Sequence, residues 1–334
     1  MNVLFTKKMM SQDIEYIQSK IRTDIQLVFP ASYDENTLIN YVSDAEVLFG
    51  GFFSEGLLSH AKKLKFAQIP WTGVDNLDFD LLRRHNLVVC NSHSNSEVVA
   101  EHAVAMMMDA AKKLSYHDKE MRQGNWNRLL PNTQNKVSPF SKKITGSKIG
   151  IIGFGAIGQH IMNMLQGFNC NFYVFTKSGV VAEEYKNKVK VWQINDFLKK
   201  AKELDFVFVA IPLTKETHGM IDNHFFNAMS EQSILINISR GQVLNPEHLF
   251  HALINKQIGV AAIDAWYNYP SPSNPTVYPS LEFTFHELDN IILSPHRAGY
   301  SDSGFPHLDD AIENLNRSAM GVPLKNIISL NNTY

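Results

Sequence analysis

A chain of 334 residues, 44% hydrophobic and 19% charged, has the make-up of a globular protein, and it is too long for one ordinary core because domains cluster at roughly 100–200 residues. A formal net charge of −2 excludes the basic surface that a nucleic-acid binder needs to neutralise phosphates, so a small-molecule ligand is expected. No apolar run reaches the roughly 18 residues of a membrane span, and Met1 to Met10 has no signal-peptide core, so the chain is expected off the membrane and in the cytoplasm.

From Asn2 to Cys90 short apolar runs (Val3 to Phe5, Ile25 to Phe29, Val47 to Phe49, Phe66 to Ile69, Leu87 to Cys90) alternate with polar, helix-length segments, the pattern of a parallel α/β layer. Ser96 can cap a long helix that begins near Glu97, runs through Val99, His102, Ala103 and Met106, and continues towards Tyr116. A polar stretch from Gly124 to Lys143, with Pro131 and Pro139, precedes a second α/β series. Its apolar runs at Ile149 to Ile152, Phe172 to Phe175, Phe206 to Ile211, Ile234 to Ile238, Val260 to Ile263 and Ile291 to Leu293 predict six strands of a dinucleotide-binding sheet. The tail reads as one helix (Leu308 to Met320) and a turn at Gly321 to Pro323, packed back on the first lobe. Cys90 and Cys170 stand in strand-like runs and read as small core residues rather than a disulfide or metal pair.

Gly153-Phe154-Gly155-Ala156-Ile157-Gly158 directly follows an apolar strand and precedes the helical segment Gln159 to Gln166. The first glycine permits a tight turn, the second lets backbone approach a pyrophosphate, and the third allows close helix-to-strand packing; the helix amino terminus then offers N–H groups and a positive dipole end. The next strand should carry, about 20 residues on, the acid that holds the ribose 2′-hydroxyl of NAD. It ends instead in Phe175-Thr176-Lys177-Ser178, where a lysine and two hydroxyls suit a 2′-phosphate, so NADP is the preferred cofactor and NAD the alternative.

Three further segments follow apolar strands, at the carboxyl ends where ligands sit in open α/β sheets: Asn237-Ile238-Ser239-Arg240-Gly241, Ile263-Asp264-Ala265 and Ser294-Pro295-His296-Arg297-Ala298-Gly299. Together with the glycine loop, Ile211-Pro212 followed by Leu213 and Thr217, Val99-Ala100-Glu101-His102, and Gly73-Val74-Asp75, they give the chain a resemblance to the D-isomer-specific 2-hydroxyacid dehydrogenases that runs through nearly its whole length. The resemblance implies two doubly wound parallel-sheet α/β domains: a flavodoxin-like substrate domain (1–96 plus 300–334) and, inserted in it, a Rossmann domain (97–299). It implies a homodimer, an expectation that the Met106 to Met108 run on the Glu97 helix also supports. It further implies transfer of a hydride between NAD(P)H and a small 2-oxo acid.

In that reading Arg240 anchors the substrate carboxylate by a planar, two-bond fork that lysine cannot copy, and His296 supplies the proton that the alkoxide needs. Backbone amides at Gly73 and Val74 hold the same carboxylate, Asp264 lies by the nicotinamide and its carboxamide, Ile211, Pro212, Thr217, Ile238, Ser239 and Gly299 also bind the cofactor, and Thr176 to Ser178 border the adenosine ribose. His102, His160 and His218 read as structural, while Trp71 is either core or pocket wall.

One position departs from the family pattern. Most members carry, five residues after the aspartate, a glutamate that pairs with the catalytic histidine; here Tyr269 stands there, before Pro270. Formate dehydrogenases, which resemble this family, carry an amide at that place, so hydride transfer does not require the acid. Glu287 is a second candidate partner for His296. The alternative is a catalytically weak or inactive, dinucleotide-sensing binding protein. The proline-rich segment Pro270 to Phe285, with Tyr278, Phe283 and Phe285, is long enough to shape specificity or to be a pinned surface loop.

Overall fold

The computed structural model describes residues 1–126, 141–302 and 304–330. The chain falls into two compact units, Met1–Ser96 with Gly299–Tyr334, and Glu97–Ala298. Pro131 and Pro139 lie outside the described residues.

In the first unit β1 (Asn2–Phe5), β2 (Gln26–Val28), β3 (Val47–Phe49), β4 (Phe66–Gln68) and β5 (Val89–Cys90) form a wholly parallel sheet in the order β2-β1-β3-β4-β5. The five predicted apolar runs are these strands. Val47, Leu48 and Phe49 are all fully buried, as expected when helices cover both faces of a parallel sheet. The helices between them are α1 (Ser11–Lys20), α2 (Glu35–Val42), α3 (Glu55–His60) and α4 (Phe79–Arg84). Side chains start three of these: Asp34, Ser54 and Asp78 accept the N–H of Thr37, Leu57 and Leu81 at 2.9–3.1 Å.

In the second unit α5 (Ser96–Lys112) opens the fold, with Ser96 inside the helix rather than capping it. The helix does not run on to Tyr116, because Lys113 takes a left-handed φ of 56° and a separate α6 (Leu114–Arg122) begins. There follow β6 (Lys148–Ile152), α7 (Ala156–Leu165), β7 (Asn171–Thr176), β8 (Val189–Gln193), α8 (Phe197–Lys200), β9 (Phe206–Val209), α9 (Asn223–Ala228), β10 (Ile234–Asn237), α10 (Pro246–Ile254), β11 (Val260–Ile263) and β12 (Ile291–Leu293). They build a seven-stranded parallel sheet, β12-β11-β10-β9-β6-β7-β8, and not the six-stranded one that the apolar runs predicted. The extra strand is the edge strand β8: its Lys190 and Gln193 face solvent, so it carries no continuous apolar run.

One face of this sheet packs Ile149 and Ile151 against Ala100, Ala103 and Met107 of α5 and Ile161 of α7; the other buries Phe175, Val207 and Leu235 beside Phe197, Phe226 and Leu249. Met106 and Met107 belong to this core and Met108 packs against it, so the methionine run is not an unpartnered face and lends no support to a dimer. Complete burial of a methionine such as Met107 stabilises the fold by about 2 kcal/mol. The chain ends in α11 (Pro306–Ala319) in the first unit, where Leu308, Ala311, Ile312 and Leu315 pack with Val3, Phe5, Ile17 and Phe66. Cys90 is fully buried, and its thiol is pushed up to about 12 by that burial.

Candidate active site

The order of the larger sheet reverses at β6, whose neighbours are β7 and β9, and the crevice outside such a reversal is where dinucleotides bind. Gly153 follows β6 with φ +89°, and a Cβ there would sit 2.4 Å from the carbonyl oxygen of Ala210 and 2.7 Å from Ile211 Cγ2. A Cβ on Gly158 would meet the Gly153 carbonyl oxygen at 2.5 Å, which ties α7 closely to β6. At Gly155, the N-cap of α7, a Cβ would meet nothing. No side chain caps this helix and no acid lies in its first turn, so the amino terminus is left to an anion. These residues fit a dinucleotide pyrophosphate.

Around the loop, hydroxyls build turns. Thr176 Oγ1, at the end of β7, accepts the N–H of Gly179 (2.9 Å) and donates to Val180 O (3.5 Å). After β9, Thr217 Oγ1 donates to Pro212 O (2.7 Å) and accepts the N–H of Thr214 (2.8 Å). Lys177 Nζ lies 2.6 Å from Glu216 Oε2, and both side chains are exposed.

The turn after β10 is clamped by one amide. Asn237 Oδ1 accepts both N–H and O–H of Ser239 (3.1 and 2.7 Å) while its Nδ2 donates to Arg240 O (3.1 Å), which sets Arg240 at the strand end. Gly241 must be glycine, because a Cβ would stand 2.3 Å from the Trp266 carbonyl oxygen of the next loop.

The turn after β12 hangs on Asp264, which is 2% exposed. Its Oδ1 accepts from Ser294 Oγ (2.5 Å) and Arg297 N–H (2.8 Å), and its Oδ2 from Ala298 N–H (3.1 Å). That hold keeps His296 at φ +56°, a conformation costing about 1–3 kcal/mol for a residue with a side chain. Because the Ser294 hydroxyl donates to Asp264, its contact with His102 Nε2 (2.9 Å) is one in which the imidazole N–H donates. Trp266 Nε1 donates to Ser294 O (2.8 Å), tying β11's loop to β12's. Tyr269 Oη accepts the backbone N–H of Trp266 (2.9 Å) and lies 2.8 Å from His296 Nδ1. A neighbouring phenol, Tyr267, has its ionisation pushed up by burial.

In the first unit the Gly73-Val74 segment follows β4 and is held by its neighbours: Thr72 Oγ1 donates to Ser92 O (2.8 Å), and Asn91 Nδ2 donates to Thr72 O (2.7 Å). Trp71 is half-buried against the core of this unit, and Lys7 Nζ lies over its ring at 4.8 Å.

Residues 104–298 match the family described as D-isomer specific 2-hydroxyacid dehydrogenase, NAD binding domain. The chain belongs to the D-isomer-specific 2-hydroxyacid dehydrogenase family. It is 30% identical to a glyoxylate reductase of Pyrococcus furiosus over 78% of this chain and 74% of that one. It is 27% identical to a D-3-phosphoglycerate dehydrogenase of Archaeoglobus fulgidus over 82% of this chain, and spans about half (49%) of that relative's length. The fold matches that of the NAD-complexed D-isomer specific 2-hydroxyacid dehydrogenase of Lactobacillus delbrueckii ssp. bulgaricus with a TM-score of 0.80, at 18% identity and covering 98% and 99% of the two chains.

Within the second unit of this dehydrogenase-family chain, the structure sets Gly153, Gly155, Ile211, Pro212, Ile238, Ser239, Arg240, Asp264 and His296 at the carboxyl ends of β6, β9, β10, β11 and β12 or in the turns that follow, and Ala156, Ile157 and Gly158 in the first turn of α7. Gly73, Val74 and Gly299 lie in the other unit. Three features escaped the sequence. His102, read as structural, reaches Ser294, 192 residues away. Glu216 meets Lys177, a carboxylate in the loop after β9 being the one signal that could have found it. Two aromatics of the proline-rich segment are pinned to the core: Phe285 is fully buried with its ring edge-on to Phe250, and the half-buried Phe283 lies tilted against Phe250 at 5.3 Å. Tyr278 alone of the three is exposed, stacked on His286 at 3.8 Å.

Proposed function

We propose that this chain reduces a small 2-oxo acid to the D-2-hydroxy acid with NAD(P)H, and runs the reverse oxidation. The arrangement of three neighbouring strand ends carries this reading: one amide clamp sets Arg240, and the Asp264 and Tyr269 contacts fix the turn and ring of His296. The nicotinamide, when bound, supplies and takes back the hydride. Arg240 pairs with the substrate carboxylate through two charge-assisted hydrogen bonds and polarises the 2-oxo group. His296, its Nδ1 side held by Tyr269, gives its Nε2 proton to the oxygen that becomes the alcohol. Ile238, Ser239 and Asp264 contact the cofactor, and Asp264 also holds the His296 turn through Ser294, Arg297 and Ala298.

NADPH is favoured over NADH in this reading because no carboxylate ends β7 and Lys177 is at hand. The family relationship carries the expectation of a homodimer, which sedimentation of the purified protein checks, and of a place in the cytoplasm, which fractionation of the cells that make it checks. The function itself is tested by following NADPH and NADH consumption with glyoxylate, hydroxypyruvate, pyruvate and phenylpyruvate beside Arg240→Ala. Turnover lost in that variant supports the reductase; dinucleotide binding with no turnover on any oxo acid supports a sensing protein instead.

A further inference from the structure

The strand end that ordinarily holds the ribose of NAD has no acid of its own, and its one buried-side hydroxyl is spent. Thr176 Oγ1 both accepts the Gly179 N–H and donates to Val180 O, so it closes the turn rather than facing a ligand. Gly179 takes φ +69° there, with a Cβ position 2.8 Å from Gln193 Cγ, which fixes the turn further. What the turn presents outward is Lys177, and Lys177 is held by Glu216 at 2.6 Å.

Those two residues come from opposite sides of the glycine loop. Lys177 follows β7 and Glu216 lies in the loop after β9, and these are the two strands that flank β6. Strands one apart in a sheet are separated by roughly 10 Å, so the ion pair bridges the two loops across the end of β6, on the side where β7 places the adenosine ribose. The carboxylate that the sequence lacks after β7 is therefore delivered from the loop after β9.

We propose that Glu216 and Lys177 together read the 2′ position of the cofactor, so that the site accepts both NADH and NADPH. This rests on the dinucleotide reading of the glycine loop. With a 2′-hydroxyl present, Glu216 accepts its hydrogen bond and Lys177 stays paired. With a 2′-phosphate, Lys177 turns to the phosphate and Glu216, now a like charge, is the group that opposes it. Glu216 thus tempers the preference for NADPH that Lys177 alone would create. The two side chains are 83% and 62% exposed, so solvent screening keeps the effect modest.

The test is a calorimetric titration of the full-length protein with NADH and NADPH, and with the fragments 5′-AMP and 2′,5′-ADP, which report on the adenosine end without any turnover. For the unaltered protein the two reduced cofactors are expected to bind within about tenfold of each other. Glu216→Gln should raise the NADPH-to-NADH affinity ratio about fivefold, and Lys177→Gln should lower it about as much, with the fragments following the same order. A ratio that Glu216→Gln leaves in place or moves towards NADH, or an unaltered protein that discriminates by more than about a hundredfold, overturns the proposal. Failure of every dinucleotide and fragment to bind would instead overturn the cofactor reading on which it rests.

Discussion

Tyr269 occupies the position whose chemistry most changes the pH behaviour of His296. Its hydroxyl oxygen takes the Trp266 N–H at 2.9 Å and meets His296 Nδ1 at 2.8 Å, so Tyr269→Phe removes two contacts at once. Each such bond is worth about 1 kcal/mol net, and the ring is 44% exposed, so water replaces part of the loss; kcat should fall about tenfold. The more telling change is Tyr269→Glu. A carboxylate at that distance favours the imidazolium, whereas a neutral phenol serves the neutral ring as well as the cation, so the acid form of His296 should persist to higher pH in the variant. Reduction requires that acid form, hence the rate with a 2-oxo acid should decline at lower pH in the unaltered protein than in Tyr269→Glu. Full pH–rate profiles of kcat/KM in both directions are the assay. Superimposable profiles, or a level rate in the unaltered protein beyond about pH 8, would refute the assignment of Tyr269 as the partner of His296.

Gly153→Ala and Gly155→Ala should separate stability from binding. The first forces a Cβ to 2.4 Å from Ala210 O at positive φ and should cost about 2–4 kcal/mol in denaturant titration, while the second meets open space and should spare stability but weaken NADH binding. Asp264→Asn turns an acceptor for three donors into a group that must present N–H to one of them; a loss of about 1–3 kcal/mol and a lower kcat are expected, and unchanged unfolding midpoints would contradict the role given to Asp264. In the first unit His93 and His307 both have pKa values lowered from 6.5, chiefly by burial. The unfolded chain therefore binds protons there before the folded one does, so stability should be full above about pH 6.5 and fall as pH drops through the lowered folded values, measured as urea midpoints between pH 7.5 and 5.5.

Much of this was legible in the sequence because parallel strands buried on both faces leave continuous apolar runs, as Val47 to Phe49 and Ile234 to Ile236 do. The edge strand β8 was not, since Lys190 and Gln193 break its pattern. The glycine loop could be placed from local order alone (strand, turn, helix), and the turns bearing Arg240 and His296 from the apolar strands that precede them. What could not be read were pairings that only folding creates. Asp264 holds N–H groups more than thirty residues downstream, His102 reaches Ser294 from a different element, and Lys177 finds Glu216 across the glycine loop. The methionines of α5 misled for a related reason, since three in a row on a helix need a partner and here the partner is the chain's own sheet.

The central claim is that a hydride passes to carbon 2 of an oxo acid held by Arg240. It is tested most directly by incubating the protein with a 2-oxo acid and reduced dinucleotide deuterated at the transferred C4 position, then examining the product by mass spectrometry and chiral chromatography. The account predicts a D-2-hydroxy acid carrying deuterium at carbon 2, with its formation abolished by Arg240→Ala. Product without the label, product of the opposite hand, or labelled product undiminished by that substitution would contradict it.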